Sequence, residues 1–211
     1  MISVKVCGLC DPLNIQAIAG TGPDYLGFIF YPGSKRYVGE DPDKSIFREV
    51  TAGISKVGVF VDEKPESILQ LASRYTLQLI QLHGSEPAEY CEAIRSAGFR
   101  VIKAFGVAAD FDFNSLGPYL PVCDYFLFDT KSDLHGGTGF RFNWDTLKQY
   151  NFEVPFFLSG GIRPEDAAAI REMHHPALYG ADINSCFEIA PGIKDIDKVK
   201  SFIQKIKTVA S

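Results

Sequence analysis

The sequence lacks the features that mark several large classes of protein. No apolar run reaches the length of about eighteen residues that a membrane-spanning helix needs, so no membrane partner is expected. The first residues, Met1 to Val6, have no basic segment leading into an apolar one, so we expect no signal peptide. The five cysteines are odd in number and scattered, which favours reduced thiols in a cytoplasmic protein over a disulfide framework.

The sequence also argues against two kinds of binding site, one for nucleic acid and one for a metal ion. The formal net charge is −5, which argues against a nucleic acid as partner. No spacing of histidine and cysteine places two ligands on one helix face with a third nearby, so we predict no metal site. A small anion is still compatible with this charge, because backbone N–H groups bind anions whatever the net charge.

Short apolar runs alternate with longer helical patterns along all 211 residues. The predicted strands are Val4–Val6, Tyr25–Phe30, Val57–Val61, Leu77–Leu82, Val101–Phe105, Tyr125–Phe128, Phe156–Leu158 and Leu178–Ala181. The predicted helices are Leu13–Ala19, Asp43–Val50, Pro65–Arg74, Pro87–Ala97, Asn114–Leu120, Asn143–Tyr150, Pro164–Met173 and Ile196–Val209. Eight such units predict a single-domain (β/α)8 TIM barrel over 1–211. A doubly wound open sheet is the alternative.

Functional residues of such a barrel gather where the strands end, and the last two strands end in polar loops. The seventh strand leads into Ser159, Gly160 and Gly161 just before a helix start, where free N–H groups favour a phosphate. The eighth leads into Asp182, Asn184 and Ser185. We therefore predict a phosphate site between these loops, although a Gly-Gly pair can also be only a tight turn.

Two residues at strand ends are candidates for proton transfer. Cys7 ends the first strand, and a nearby cation or helix N-terminus would make its thiol a usable base; a small buried hydrophobic role is the alternative. Asp129 follows Phe126 and Phe128 at the end of the sixth strand. As a general acid it would need apolar or negatively charged surroundings, which those phenylalanines would partly provide; a helix-capping role is the alternative.

Three further residues are predicted to line the site. Arg36, in the loop after the second strand, can clamp a carboxylate with two hydrogen bonds, although a solvated loop charge is the common alternative. His83 follows the fourth strand and is expected to form a wall of the site. Gly137 belongs to a glycine-rich loop, 134–139, that could be a lid or wall. The glycines lack the dinucleotide spacing, so NAD is not expected.

An ordered set of motifs along the chain resembles the phosphoribosylanthranilate isomerase family. The motifs are Lys5-Val6-Cys7-Gly8-Leu9, Arg36-Tyr37-Val38, Val57-Gly58-Val59-Phe60, Gln81-Leu82-His83-Gly84, Phe128-Asp129, Gly136-Gly137-Thr138-Gly139, Leu158-Ser159-Gly160-Gly161-Ile162, Asp182-Ile183-Asn184-Ser185 and Pro191-Gly192-Ile193-Lys194-Asp195. Each motif is weak alone, but their order over the whole chain is specific.

The resemblance implies an Amadori rearrangement of N-(5-phosphoribosyl)anthranilate in tryptophan biosynthesis. By analogy, Asp129 is the general acid and Cys7 the general base, Arg36 holds the anthranilate carboxylate, and Gly161 and Ser185 hold the phosphate with their neighbours. Such acid–base chemistry implies no cofactor. A monomer or a homodimer is expected.

The chain departs from the family at two cysteines, and several rival functions follow from its motifs. Cys10 stands where threonine or serine is usual, and Cys186 where glycine is usual.

Cys7 and Cys10 spell C-x-x-C, which suggests a thiol–disulfide oxidoreductase or an inactivating disulfide. A sugar-phosphate epimerase would need metal-ligand histidines, and an indole-glycerol-phosphate synthase a lysine near the N-terminus. A non-catalytic barrel would not need both Cys7 and Asp129.

Overall fold

The computed structural model describes residues 1–48, 50, 52–131 and 142–208. Eight parallel strands close into a barrel in sequence order, with β1 pairing both β2 and β8. The strands are β1 (Ser3–Cys7), β2 (Tyr25–Ile29), β3 (Ser55–Phe60), β4 (Leu79–Leu82), β5 (Arg100–Val107), β6 (Tyr125–Thr130), β7 (Phe156–Leu158) and β8 (Leu178–Ile183). The predicted (β/α)8 barrel is confirmed, and the open sheet is excluded.

Alternation along each strand sorts the side chains into two cores. Val4, Val6, Leu26 and Phe28 belong to the outer core, which lies between the strands and the helices. Because successive side chains of a strand point to opposite faces, the intervening residues point into the barrel. Both faces are covered, which is why the strands read as nearly continuous apolar runs.

The barrel interior is apolar at its amino-terminal end. Tyr25, Tyr125, Phe157 and Tyr179 pack there ring against ring, and the Tyr25 and Tyr179 hydroxyls lie 2.6 Å apart. These large rings fill the lower layer and leave the polar interior positions to the carboxyl end. A site that opens at that end therefore has a packed floor.

Six α-helices of the described residues flank the barrel. They are α1 (Pro12–Ala19), α2 (Ser45–Arg48), α3 (Pro65–Tyr75), α4 (Ala88–Ser96), α5 (Ala167–Glu172) and α6 (Ile196–Lys207). Local sequence sets their starts: the Asp11 side chain accepts a hydrogen bond from the Asn14 N–H at 2.7 Å, and Pro65 occupies the first turn of α3 as predicted. No described helix is long and apolar enough to cross a membrane.

The helix predictions fail after β5 and β6. Both segments, Phe113–Tyr119 and Trp144–Gln149, form 3-10 turns instead of α-helices. Pro118 lies inside the first and has no N–H to donate to an α-helical turn. Pro164–Asp166 is likewise a 3-10 turn, which continues into α5.

A short antiparallel hairpin that was not predicted follows β8. Its strands are β9 (Glu188–Ala190) and β10 (Ile193–Lys194), and they are joined through Pro191 and Gly192. A 3-10 turn, Ser185–Phe187, connects β8 to the hairpin. The hairpin lies after the eighth strand, at the end of the barrel where the predicted functional residues gather.

Candidate active site

Cys7 lies at the carboxyl end of β1, 4% exposed, beside a buried ion pair. The Lys5 ammonium contacts the Asp182 carboxylate at 2.9 Å, and Lys5 is fully buried. Burial has the largest single effect and favours neutral Lys5, but the charges and hydrogen bonds of Asp182 and Cys7 together outweigh it and raise the pKa of Lys5, which stays a cation. A cation of the kind predicted to activate the thiol is therefore present.

Burial nevertheless has the largest effect on the pKa of the Cys7 thiol itself. It raises the pKa of Cys7 above the ordinary value, and the cations Lys5 and Lys194 offset only part of this effect. Cys7 is thus mainly a thiol in the free protein at neutral pH. A thiolate formed here is a stronger base than an ordinary one, because a higher pKa means greater proton affinity.

Asp129 lies in β6 and faces His83. Its Oδ2 is 3.6 Å from His83 Nε2, and its Oδ1 accepts a 2.7 Å hydrogen bond from the Thr130 N–H. His83 Nδ1 is 2.8 Å from the Nε2 of buried Gln81, so the ring is held from both sides. His83 therefore contacts the candidate acid, and its role as a wall of the site stays a prediction.

The predicted apolar neighbours of Asp129 lie elsewhere. Phe126 and Phe128 alternate with Asp129 along β6 and belong to the outer core, on the other side of the sheet. Leu127 shares the inward face instead. That prediction was wrong because it took sequence neighbours of a strand residue for spatial neighbours.

Asp182 connects the two candidate catalytic groups. It was predicted to bind substrate, and the structure places it 6% exposed with Lys5 as its partner. Burial raises the pKa of Asp182, Lys5 opposes this, and the nearby charge of Asp129 adds to it. The thiol of Cys7 and the carboxyl of Asp129 therefore share one electrostatic environment at one end of the barrel.

Arg36 reaches the site but already has a carboxylate partner. Its Nε and Nη2 donate to the two oxygens of Glu188 at 2.8 and 2.7 Å. Gly8 makes room for the arginine: its φ is +75°, and a Cβ there would lie 2.6 Å from Arg36 Cδ and 2.8 Å from Asn184 Oδ1. The backbone after Cys7 is thus in close contact with two predicted binding side chains.

The two predicted phosphate loops lie on neighbouring strands, since β7 pairs with β8. Gly160 and Gly161 both have positive φ (84° and 63°), a conformation that favours glycine. The following turn begins at Pro164, and the Asp166 carboxylate accepts the Arg163 N–H at 2.8 Å. Within the described part of the chain, the N–H groups of Gly160 and Gly161 donate to no other residue.

The structure accommodates Cys10 and Cys186, the two residues at which this chain departs from the usual family sequence. The Cys10 thiol donates to the carbonyl of Arg36 at 3.2 Å, a role that a threonine or serine hydroxyl would also fill. Cys186 lies in the turn after Ser185 and is not among the described residues with positive φ, so this turn does not require glycine. Cys7 and Cys10 are both free thiols.

Replacing Gly160 by alanine is expected to impair both folding and the site. A Cβ there would lie 2.5 Å from the Thr130 nitrogen and 2.7 Å from Asp129 Oδ1, and it would also overlap Thr130 Oγ1. We expect a loss of about 2 kcal/mol or more in the free energy of unfolding, measured by urea denaturation. Gly22→Ala is the matched control, since Gly22 has a similar φ of 82° but open space around it. Equal losses in the two variants would show that backbone strain alone is responsible.

Sequence reasoning missed four polar residues that complete the site. Lys5 and Gln81 interrupt apolar strands and are buried, and a polar residue inside such a run was the available signal. Glu188 and Lys194 lie in the hairpin, where no spacing distinguishes them from surface charges. The predicted Gly137 and its loop lie outside the described residues. Among the residues described, no cluster of three or more His, Cys, Asp or Glu side chains could hold a metal ion.

Comparison with known proteins identifies the family of this chain. The family model for N-(5'-phosphoribosyl)anthranilate (PRA) isomerase matches residues 4–205. A curated relative of that name from Parabacteroides distasonis is 48% identical over 204 residues, covering 96% of this chain and 92% of the relative.

Solved structures show the same relationship. The phosphoribosylanthranilate isomerase of Thermotoga maritima is 37% identical with a TM-score of 0.86, covering 98% of this chain and 99% of the other. An enzyme of the same name, in complex with reduced 1-(o-carboxyphenylamino)-1-deoxyribulose 5-phosphate, is 35% identical with a TM-score of 0.84 and the same coverage. This chain therefore belongs to the phosphoribosylanthranilate isomerase family.

Proposed function

We propose that this chain catalyses the Amadori rearrangement of N-(5-phosphoribosyl)anthranilate to 1-(2-carboxyphenylamino)-1-deoxyribulose 5-phosphate, a step of tryptophan biosynthesis. The observation that carries the proposal is the shared position of Cys7, the Lys5–Asp182 pair and Asp129 at the carboxyl end of the barrel. Membership of the family supports the same activity. The free state of all five cysteines is in keeping with a cytoplasmic site of action.

Asp129 acts first, as the general acid. It gives a proton to the ribose ring oxygen while the anthranilate nitrogen forms a double bond to C1, so the C1–O bond breaks and the ring opens to a Schiff base. His83 Nε2, 3.6 Å from Asp129 Oδ2, needs only a small movement to donate a hydrogen bond to the carboxylate left behind. Charge that develops on Asp129 is thereby stabilised.

Cys7 then acts as the general base. Its thiolate removes the proton from C2 of the sugar; the electrons of that bond form the C1–C2 double bond while the C1–N double-bond electrons return to the nitrogen, which gives an enolamine. Proton transfer from the enol oxygen to C1 converts this to the ketone. Lys5 stabilises the thiolate, and Asp182 supports Lys5 through its 2.9 Å contact. This chemistry involves only protons, so it calls for no metal or cofactor.

The substrate's two anionic ends are held on either side of these groups. The loops with Gly160, Gly161, Asn184 and Ser185 take the phosphate, and Arg36 takes the anthranilate carboxylate. Glycine-rich loops before a helical turn suit a phosphate, and a guanidinium suits a planar carboxylate. Fixing both ends holds C2 of the sugar near the Cys7 thiol.

The proposal is tested by the loss of anthranilate-type fluorescence with substrate generated in situ, because phosphoribosylanthranilate is labile. Under reducing conditions we expect turnover by the wild-type protein and none in a mixture without it. A purified, folded protein that leaves the fluorescence unchanged would overturn the proposed activity.

A further inference from the structure

Glu188 and Lys194 of the β9–β10 hairpin form a network of charged and polar side chains with Arg36 and Asn184 beside the site, here called the hairpin network. The Lys194 ammonium, fully buried, contacts Glu188 Oε1 at 2.7 Å and Asn184 Oδ1 at 2.6 Å. Asn14 accepts from the Lys194 N–H and donates to its carbonyl oxygen, both at 2.8 Å. The hairpin is therefore fixed to the barrel, and Glu188 with it.

Glu188 is the centre of this network. Its Oε1 accepts hydrogen bonds from Arg36 Nε, Lys194 Nζ and the Gly192 N–H, and its Oε2 accepts from Arg36 Nη2. Burial would raise the pKa of Glu188, but the hydrogen bonds from Arg36 and the charge of Lys194 hold it below the ordinary value. Glu188 is therefore an anion that orients two cations.

The way in which Glu188 binds Arg36 leaves one edge of the guanidinium unused. Glu188 occupies the edge formed by Nε and Nη2, and Nη1 makes no hydrogen bond to any residue in the described part of the chain. A guanidinium has five N–H donors in a rigid plane, so the edge formed by Nη1 and Nη2 still offers two parallel donors. That edge can take a second carboxylate while the first stays bound.

The charges of the hairpin network also favour the binding of a second carboxylate. Arg36 and Lys194 share the single anion Glu188. Burial lowers the pKa of Lys194, and the charge of Glu188 opposes this; with Lys194 protonated, the network has one positive charge left over. Arg36 is largely buried, with 13% of its side chain exposed. A buried surplus charge is stabilised when a partner of opposite sign arrives, and one substrate carboxylate would provide it.

We propose that Glu188 is a positioning residue for the substrate: it holds Arg36 side-on so that the free edge of the guanidinium receives the aryl carboxylate. This inference depends on the proposed function. It makes the hairpin part of the substrate site, and it assigns the preference for a carboxylated ring to Glu188 and Arg36 together. Without Glu188, the two cations repel each other and Arg36, on a loop, turns toward solvent.

The test compares two ligands that differ only in that carboxylate. One is the reduced product analogue with a 2-carboxyphenyl ring, and the other is the same compound with a plain phenyl ring. Dissociation constants are measured by titration calorimetry for the wild type, Glu188→Gln, Arg36→Met and the double variant. Glu172→Gln, an exposed carboxylate on α5, is the matched control. Turnover of phosphoribosylanthranilate by the wild type is measured in parallel.

We expect Glu188→Gln to weaken binding of the carboxyphenyl analogue about tenfold or more, the scale of a lost hydrogen bond to a charged group. Binding of the phenyl analogue should change less than about twofold, and Glu188→Gln should add nothing in the Arg36→Met background. If Glu188→Gln does not fold, Glu188→Asp keeps the charge on a shorter side chain and undergoes the same comparison.

Equal weakening of both analogues would show that Glu188 only supports the fold, and unchanged binding would show that it does not position Arg36. Either result overturns this inference. An inactive wild type would instead overturn the proposed function, so the two failures are distinguishable.

Discussion

Replacing Cys7 by serine is expected to lower kcat for the rearrangement about 100-fold or more, the scale of a lost general base. The hydroxyl of serine fills almost the same space but gives up its proton far less readily, so the packing is kept and the basicity is lost. The measurement is the fluorescence assay at saturating substrate, with circular dichroism and a thermal melt to establish that the variant folds.

The neighbouring thiol provides the control for Cys7. Cys10→Ser keeps a donor to the Arg36 carbonyl and should stay within about threefold of the wild type. A Cys7→Ser enzyme that retains most of its rate would contradict the base role. The Cys10 variant also tests the disulfide hypothesis, because an oxidant should then no longer inactivate the enzyme by joining Cys7 to Cys10.

Replacing Asp129 by asparagine is expected to have an effect of similar size, about 100-fold or more on kcat. The amide keeps the shape of the side chain and can still accept the Thr130 N–H, but it cannot give a proton to the ring oxygen. The measurement is again kcat in the fluorescence assay. Asp145→Asn, an exposed aspartate in the turn after β6, is the control and should behave like the wild type.

The residual rate of Asp129→Asn also reports on Cys7. The wild-type enzyme requires a protonated acid and a deprotonated base, and these opposite requirements flatten the dependence of its rate on pH. Asp129→Asn has lost the acid, so its residual rate requires only that Cys7 be a thiolate. Burial raises the pKa of Cys7, so below that pKa the thiolate fraction increases with pH. Where removal of the C2 proton limits the rate, the residual kcat/KM should therefore increase about tenfold per pH unit. A flat profile together with a kinetic isotope effect on substrate deuterated at C2 would contradict the assignment of Cys7 as the base, whereas a flat profile without that isotope effect would show that ring opening limits this variant.

The sequence predicts less about shorter connections than about the barrel. Eight apolar runs separated by helical patterns were sufficient for the strands, because each strand is buried on both faces and so has a local signature. The segment after β5 has weak periodicity, and both it and the segment after β6 form 3-10 turns. The β9–β10 hairpin is too short for periodicity to reveal it.

The chemistry of the site divides in the same way. The sequence by itself determined that a thiol, a carboxyl group and two polar loops come together, because parallel strands place their carboxyl ends on one rim of a barrel. Only the tertiary structure decided what each group contacts: Lys5 with Asp182, His83 with Asp129, and Glu188 with Arg36 across 152 positions of sequence. The physical reason is that the pKa of a side chain and its orientation depend on burial and on charges within a few ångströms, and those neighbours come from distant parts of the chain.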